Sequence, residues 1–253
     1  MSGLRSFLER LTAAPTAEAL WRLHCAKMEE YGFDRILYGF SHFMTESSMG
    51  NPDDFVLLTN HKPDYMRQFI DTGLYRDAPM VRWALNNVGA CSWRFLAEEM
   101  ARGTLSDRER QVIEMNQEHG VAAGFSISFK AITTRSKGAI ALTARAGMSQ
   151  DETDEIWAKH GDDIVLMNNI AHLKIVTLPH QRGGRRLTKR QREALEWVGD
   201  GKTTQDIALL MGLTSATVEK HLRLAREVLS VETTAQAVLK AAFQNQMFIV
   251  EAL

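Results

Sequence analysis

Between Ser215 and Leu229 the side chains divide sharply, and one face could do chemistry on a polyanion. Val218, Leu222, Ala225 and Leu229 recur at helical spacing as a buried stripe, leaving Ala216, Glu219, Lys220, Arg223 and Glu227 on the opposite face. Cations and a carboxylate along the first turns of a helix can meet phosphates and base edges in a DNA groove, where the positive helix N-terminus also favours phosphate. Catalysis leaves no comparable trace. The sequence has no G-x-S-x-G elbow, no H-E-x-x-H, no Walker A loop and no G-x-G-x-x-G, so no enzyme class and no cofactor is indicated. The two cysteines, Cys25 and Cys91, cannot build a disulfide scaffold or a Cys-rich zinc site. His24 beside Cys25 reads as packing, and no metal set is expected.

The elements needed to position that face are also legible. Thr188 and Gln191 form a capping box that opens a helix ending near Gly201, and a second short helix carries Ile207, Ala208 and Met211 inward to Gly212. Thr214 then caps the helix from Ser215. Two helices around a tight glycine-containing turn, the second with a cationic polar face, form a helix-turn-helix. The same caps and stripes occur in any small three-helix bundle, so the pattern alone leaves both readings open.

Upstream, helix and strand signals alternate. Helices are expected over 15–31, from Pro63, over Pro79–Asn86, from Ser106 to near Gly120, and from Gln150 to about Lys174. Strands are expected over Arg35–Phe43, Phe55–Leu58, Gly124–Phe129 and Gly138–Ala144, the last two as a hairpin across a basic turn at 133–137. The fold class predicted is α+β: an N-terminal α-β-α sandwich with an antiparallel sheet, then an all-α helix-turn-helix domain. The boundaries expected are 1–175, a linker at 176–186 containing Pro179, Gly183 and Gly184, and 187–253.

Composition agrees with this division. At 253 residues, with 45% hydrophobic and 24% charged residues, the chain is globular and has no apolar run long enough to span a bilayer, so a cytoplasmic protein is expected. The net charge of −1 conceals an asymmetry. Residues 181–253 hold 11 Lys/Arg against 8 Asp/Glu, whereas residues 1–180 hold 19 against 23. A mildly basic tail fits nucleic-acid contact, although charge alone favours a solvated face.

Four blocks then become specific. Leu187-Thr-Lys-Arg-Gln-Arg-Glu-Ala-Leu195, Gly201-Lys-Thr203, Asp206-Ile-Ala208 and Thr217-Val-Glu-Lys-His221 resemble, in order and spacing, the LuxR-type DNA-binding domain. Gln191 departs from the family's Glu but can still complete the capping box. The resemblance implies a four-helix domain whose third helix enters the major groove. Lys202, Thr203, Ser215, Ala216, Thr217, Glu219, Lys220 and Arg223 would lie at the DNA, and a last helix near 235–247 would assist dimerisation.

A phosphorylated receiver as the front end would need an acidic pair after the first strand; this chain opens with helices and has Asp34 alone before its first strand. Instead Pro63-Asp-Tyr65, Tyr75…Pro79-Met-Val81, Cys91-Ser-Trp93 and Glu118-His-Gly-Val-Ala-Ala-Gly124-Phe-Ser-Ile resemble the autoinducer-binding domain, with Tyr65–Pro79 and Pro79–Trp93 both 14 residues apart. The resemblance spans essentially the whole chain. It implies a quorum-sensing regulator that binds an acyl-homoserine lactone or a related signal, forms a homodimer and recognises an inverted repeat in double-stranded DNA. An orphan regulator without a lactone, or an enzyme acting on the signal, are the alternatives.

The pocket implied is lined by Phe40, His61, Tyr65, Phe69, Ile70, Asp77, Trp93 and Thr143. Tyr65 stands where the family has Trp, and His61 and Phe69 where it has Tyr. Ala78 replaces the Asp that accepts the ligand amide N–H, with Asp77 one position early; only Trp93 keeps its family identity. His61 beside Asp64 could otherwise be a surface pair, and the aromatics could be plain core.

Overall fold

A computed structural model describes residues 2–45, 48–131, 133–179 and 187–249, which fold as two compact units, Met1–Val176 and Thr177–Leu253. The first begins with α1 (Ser2–Thr12) and α2 (Ala17–Glu30). Thr16 caps α2, its hydroxyl accepting from the Ala19 N–H at 3.2 Å, and Leu20, Trp21, His24 and Met28 form the buried face. There follow β1 (Phe33–Ser41), β2 (Val56–Thr59), α3 (Pro63–Met66), α4 (Pro79–Asn86), β3 (Gly89–Ser92), α5 (Arg94–Ala101), α6 (Asp107–Glu118), β4 (Gly124–Ser128), β5 (Lys137–Ala144) and α7 (Gln150–Ile175). The helix starts at Ser106 and Ser149 are both reciprocal capping boxes, with Glu109 and Glu152 returning to the cap.

The five strands form one antiparallel sheet in the order β2-β1-β5-β4-β3. Three elements go beyond expectation, α1, β3 and α5. β3 joins the edge, pairing Cys91 with Ser126, and α5 follows it at once. β1 starts two residues earlier than predicted and ends at Ser41 instead of Phe43.

Strand alternation splits the residues of β1 and β5 between two layers. A Cβ on Gly138 would meet Phe40 Cδ2 at 2.9 Å and His172 Cε1 at 3.0 Å, so these positions look towards α7. On that side the His172 ring lies parallel to Phe129 at 4.2 Å, and its Nδ1 is 2.8 Å from the Tyr38 hydroxyl. The other parity, Leu37, Gly39 and Ser41 of β1 with Ala139, Ala141 and Thr143 of β5, looks towards α3–α6 and borders a cavity.

The second unit contains α8 (Lys189–Gly199), α9 (Thr204–Met211), α10 (Ser215–Leu229) and α11 (Thr234–Phe243). The Thr188–Gln191 box forms as expected: Gln191 Oε1 accepts from the Thr188 N–H at 2.8 Å, and Thr188 Oγ1 accepts from the Gln191 N–H at 3.3 Å. Gly212 turns α9 into α10 with φ +66°, a left-handed conformation that glycine adopts without a Cβ penalty. Leu195, Ile207, Met211, Val218, Leu222 and Leu229 form the centre of the core. α11 stops four residues short of the expected Met247, because Asn245 takes a positive φ of 50°. Of the segment expected as a linker, 180–186 lies outside the described residues. Leu178 just before it is buried, and its carbonyl accepts from Asn245 Nδ2 at 3.1 Å.

Candidate ligand cavity and nucleic-acid interface

Between the sheet and α3–α6 lies a cavity of about 400 Å³, mostly apolar and within the roughly 300–1,000 Å³ range of small-molecule sites. One wall is an aromatic column. The rings of His61 and Tyr65 stack at 4.5 Å, and those of Tyr65 and Phe69 at 5.5 Å. Pro63 at the first turn of α3 sets this geometry, placing Tyr65 and Phe69 on one face. The chain then widens into a π-type turn over Arg67–Asp71 that sends Phe69 and Ile70 inward together. The Tyr65 hydroxyl donates to Asn116 Oδ1 of α6 at 3.0 Å, tying column to helix. Opposite, the Trp93 Nε1–H donates to Ser126 Oγ at 3.0 Å.

His61, Tyr65, Phe69, Ile70, Trp93 and Thr143 thus come together around one cavity. Of the other two residues of the expected set, Phe40 is in the lining and Asp77 is not. Phe40 borders the space, but its ring packs 5.6 Å from His172 on the α7 side, as its strand parity requires. Asp77 closes a 3₁₀ turn (Leu74–Asp77) and faces Arg108 Nη1 at 3.5 Å, while the next residue, Ala78, is buried at the cavity. His61 makes no surface pair: it is 9% exposed, and Asp64 pairs with Arg67 instead.

Burial sets the electrostatics. It pushes the His61 imidazole down to about 4, helped by the nearby Arg35 charge, so His61 is neutral near pH 7. The Tyr65 phenol is pushed above its usual range by the same burial. Among the described residues no Asp or Glu lines the space, and the charged residues that do, Arg94 and Lys137, are cations. Two hydroxyls in the lining, Tyr75 Oη and Thr143 Oγ1, are buried with no hydrogen-bond partner among the described residues. Tyr75 was readable only as a landmark, because its direction depends on the turn after Gly73, whose φ is +84°. Asn116 and Ser126 carried no sequence signal: each is one polar residue among several on its element. Among the described residues no group of three or more His, Cys, Asp or Glu could hold a metal ion.

In the second unit, Lys202, Thr203, Ser215, Ala216, Glu219, Lys220 and Arg223 are exposed, and Thr217 is half-buried against its own cap. Thr203 caps α9 reciprocally with Asp206, whose carboxyl is held low by the Thr203 hydrogen bonds. The Thr204 hydroxyl donates to Glu219 Oε1 at 2.9 Å, bridging α9 to α10, and Arg223 pairs with Glu227 one turn on. Lys220 extends from the same face.

Comparison with known proteins agrees with both parts. Residues 16–175 match the autoinducer binding domain family, and residues 185–229 match the sigma-70 region 4 family, a helix-turn-helix. The transcriptional activator protein LuxR of Aliivibrio fischeri is 24% identical over 221 residues, covering 87% of this chain and 81% of that protein. The crystal structure of Escherichia coli SdiA shares the fold with a TM-score of 0.52 at 17% identity, over 98% of this chain and 99% of that one. SdiA in complex with octanoyl-rac-glycerol is similar at a TM-score of 0.51 and 18% identity, over 96% and 94%. CepR2 of Burkholderia cenocepacia, an N-acylhomoserine lactone dependent LuxR family factor, gives 0.52 at 17% identity over 68% and 93%. The relatives are transcriptional activators, and the enzyme reading gains no support. This chain belongs to the autoinducer-binding family of LuxR-type regulators: a ligand-responsive transcription factor that binds DNA through its helix-turn-helix.

Proposed function

We propose that the cavity binds one acyl-chain signal, an acyl-homoserine lactone or a relative with an altered head group. The head group would lie near Tyr75, Thr143 and Trp93. The observation that carries this reading is the pair of unpartnered buried hydroxyls in an apolar cavity. Each such group costs about 1–3 kcal/mol if nothing bonds to it, so both await a polar ligand atom. Among the described residues the lining holds no carboxylate, and its Tyr75 and Thr143 hydroxyls can each donate to a carbonyl of the head group. The resemblance to CepR2 and to SdiA with its bound acylglycerol supports an acyl ligand of either kind. The bound protein would act in the cytoplasm as a homodimer. Lys202, Thr203, Ser215, Ala216, Thr217, Glu219, Lys220 and Arg223 would be set against an inverted repeat.

Isosteric removal of the two hydroxyls tests this. Tyr75→Phe and Thr143→Val should keep or raise the ligand-free melting temperature, since each deletes an unsatisfied group, yet weaken binding of dodecanoyl-homoserine lactone or dodecanoyl-glycerol by about tenfold. Unchanged affinity for both probes in both variants would contradict the placement of the head group.

A further inference from the structure

Lys137 and Thr143 lie on the same face of β5, six residues and therefore about 20 Å apart, at opposite ends of one cavity. Between them the floor is Ala139 and Ala141, with Gly39 of β1 paired alongside Ala139, so these small residues leave room along the strand from the hydroxyl end to the ammonium. The two cations that border the cavity differ in their surroundings. Arg94 is already neutralised, its Nη2 lying 2.7 Å from Asp154 Oδ2 and its Nε 2.9 Å from the same oxygen. Lys137 is half-buried and meets no carboxylate among the described residues. Its Nζ donates to the Asn87 carbonyl at 2.8 Å, an oxygen that also accepts from Ser128 Oγ at 2.7 Å. An ammonium carries three donors, so two stay available for a ligand.

From this arrangement we infer that the natural ligand carries an anion, a carboxylate, at the far end of its acyl chain, held by Lys137 Nζ. The inference rests on the reading of the cavity as an acyl-signal site and adds a second polar subsite to it. A partly desolvated cation without a counter-ion is costly, and burial does lower the Lys137 ammonium below its usual range. A ligand carboxylate would offset that cost with a charge-assisted hydrogen bond at the partly exposed rim of the cavity. It would also fix chain length, since the chain must span that distance while both ends are engaged. A methyl-ended chain would leave the ammonium as it is and gain nothing from it.

The test is calorimetric titration of the full-length protein with three probes of equal chain length. These are dodecanoyl-homoserine lactone, the same lactone with a carboxylate at the chain terminus, and dodecanedioic acid. The carboxylate-ended lactone should bind at least about tenfold more tightly than the methyl-ended one. Lys137→Met should erase that preference and Lys137→Arg should retain it. Binding of the diacid in a Lys137-dependent manner, with neither lactone bound, would uphold the anionic subsite while overturning the lactone head group. Equal or tighter binding of the methyl-ended lactone would overturn the subsite alone and leave the cavity reading standing. Failure of all three probes to bind would overturn both.

Discussion

The Trp93 indole lies against Gly124, where a Cβ would stand 2.3 Å from the Leu142 carbonyl oxygen and 3.0 Å from Trp93 Cζ3. The close approach lets the ring sit on β4 while its N–H reaches Ser126, and so closes the head-group end of the cavity. Because one colliding atom is backbone, the neighbours cannot yield cheaply. Gly124→Ala should destabilise the first unit by about 1–3 kcal/mol in denaturant titration and abolish thermal stabilisation by ligand. An unaffected ligand shift in the variant would show that Trp93 does not form this end of the site.

The missing carboxylate gives a second prediction. Ala78 is 4% exposed and sits at the start of α4 with no side-chain cap. Ala78→Asp should raise affinity for a simple acyl-homoserine lactone by about tenfold or more, through a recovered charge-assisted bond to the amide N–H. A weaker lactone complex in this variant would mean that the existing cavity already satisfies that N–H.

A third concerns DNA. Arg223→Ala should cost about 1–3 kcal/mol at a particular base step, whereas Lys220→Ala should weaken binding to all sequences and lower the salt slope by about one. Mobility-shift titrations on a selected inverted repeat and on random DNA, at several salt concentrations, separate the two. If both affinities were unchanged in both variants, the exposed face of α10 would not be the reading surface.

Acid should loosen the first unit. His24 is fully buried, its Nε2 is 2.9 Å from Asn168 Oδ1 and its Nδ1 has no partner among the described residues, an arrangement suited to the neutral ring. Burial depresses its pKa to about 4, and burial likewise takes His172 to about 4. The unfolded chain protonates these rings near pH 6.5 while the folded chain resists. Their stabilisation is therefore complete above pH 6.5 and is lost as pH falls towards 4, by about 3 kcal/mol for His24. Melting temperatures recorded between pH 7.5 and 4.5 should decline, and His24→Gln should flatten the decline. A His24→Gln profile as steep as the native one would contradict this assignment.

What could be read from the sequence follows from how local each cause is. Pro79 opening α4, Ser106 with Glu109, Thr188 with Gln191, and the Val218–Leu229 stripe are decided within a turn or two, and each element stands where its residues put it. β3 escaped notice because Gly89-Ala-Cys-Ser92 has small side chains with no alternation and is held as a strand by pairing with β4. Phe40 borders the cavity while its ring leans on His172, an orientation that depends on the register of β1 against β5 and so is not legible from its identity. Tyr75 and Asp77 share a short turn, yet one points inward and the other to Arg108, a distinction that only the packed turn makes.

The central claim is that the first unit is a receptor whose cavity holds one acyl signal. Native mass spectrometry of the full chain, produced with and without added acyl-homoserine lactones, tests it most directly. One acyl amphiphile per chain is predicted for the native protein, with occupancy sharply reduced in folded Tyr75→Phe/Thr143→Val. A well-folded native chain that stays empty with every acyl probe, or a variant that fills equally well, would contradict it.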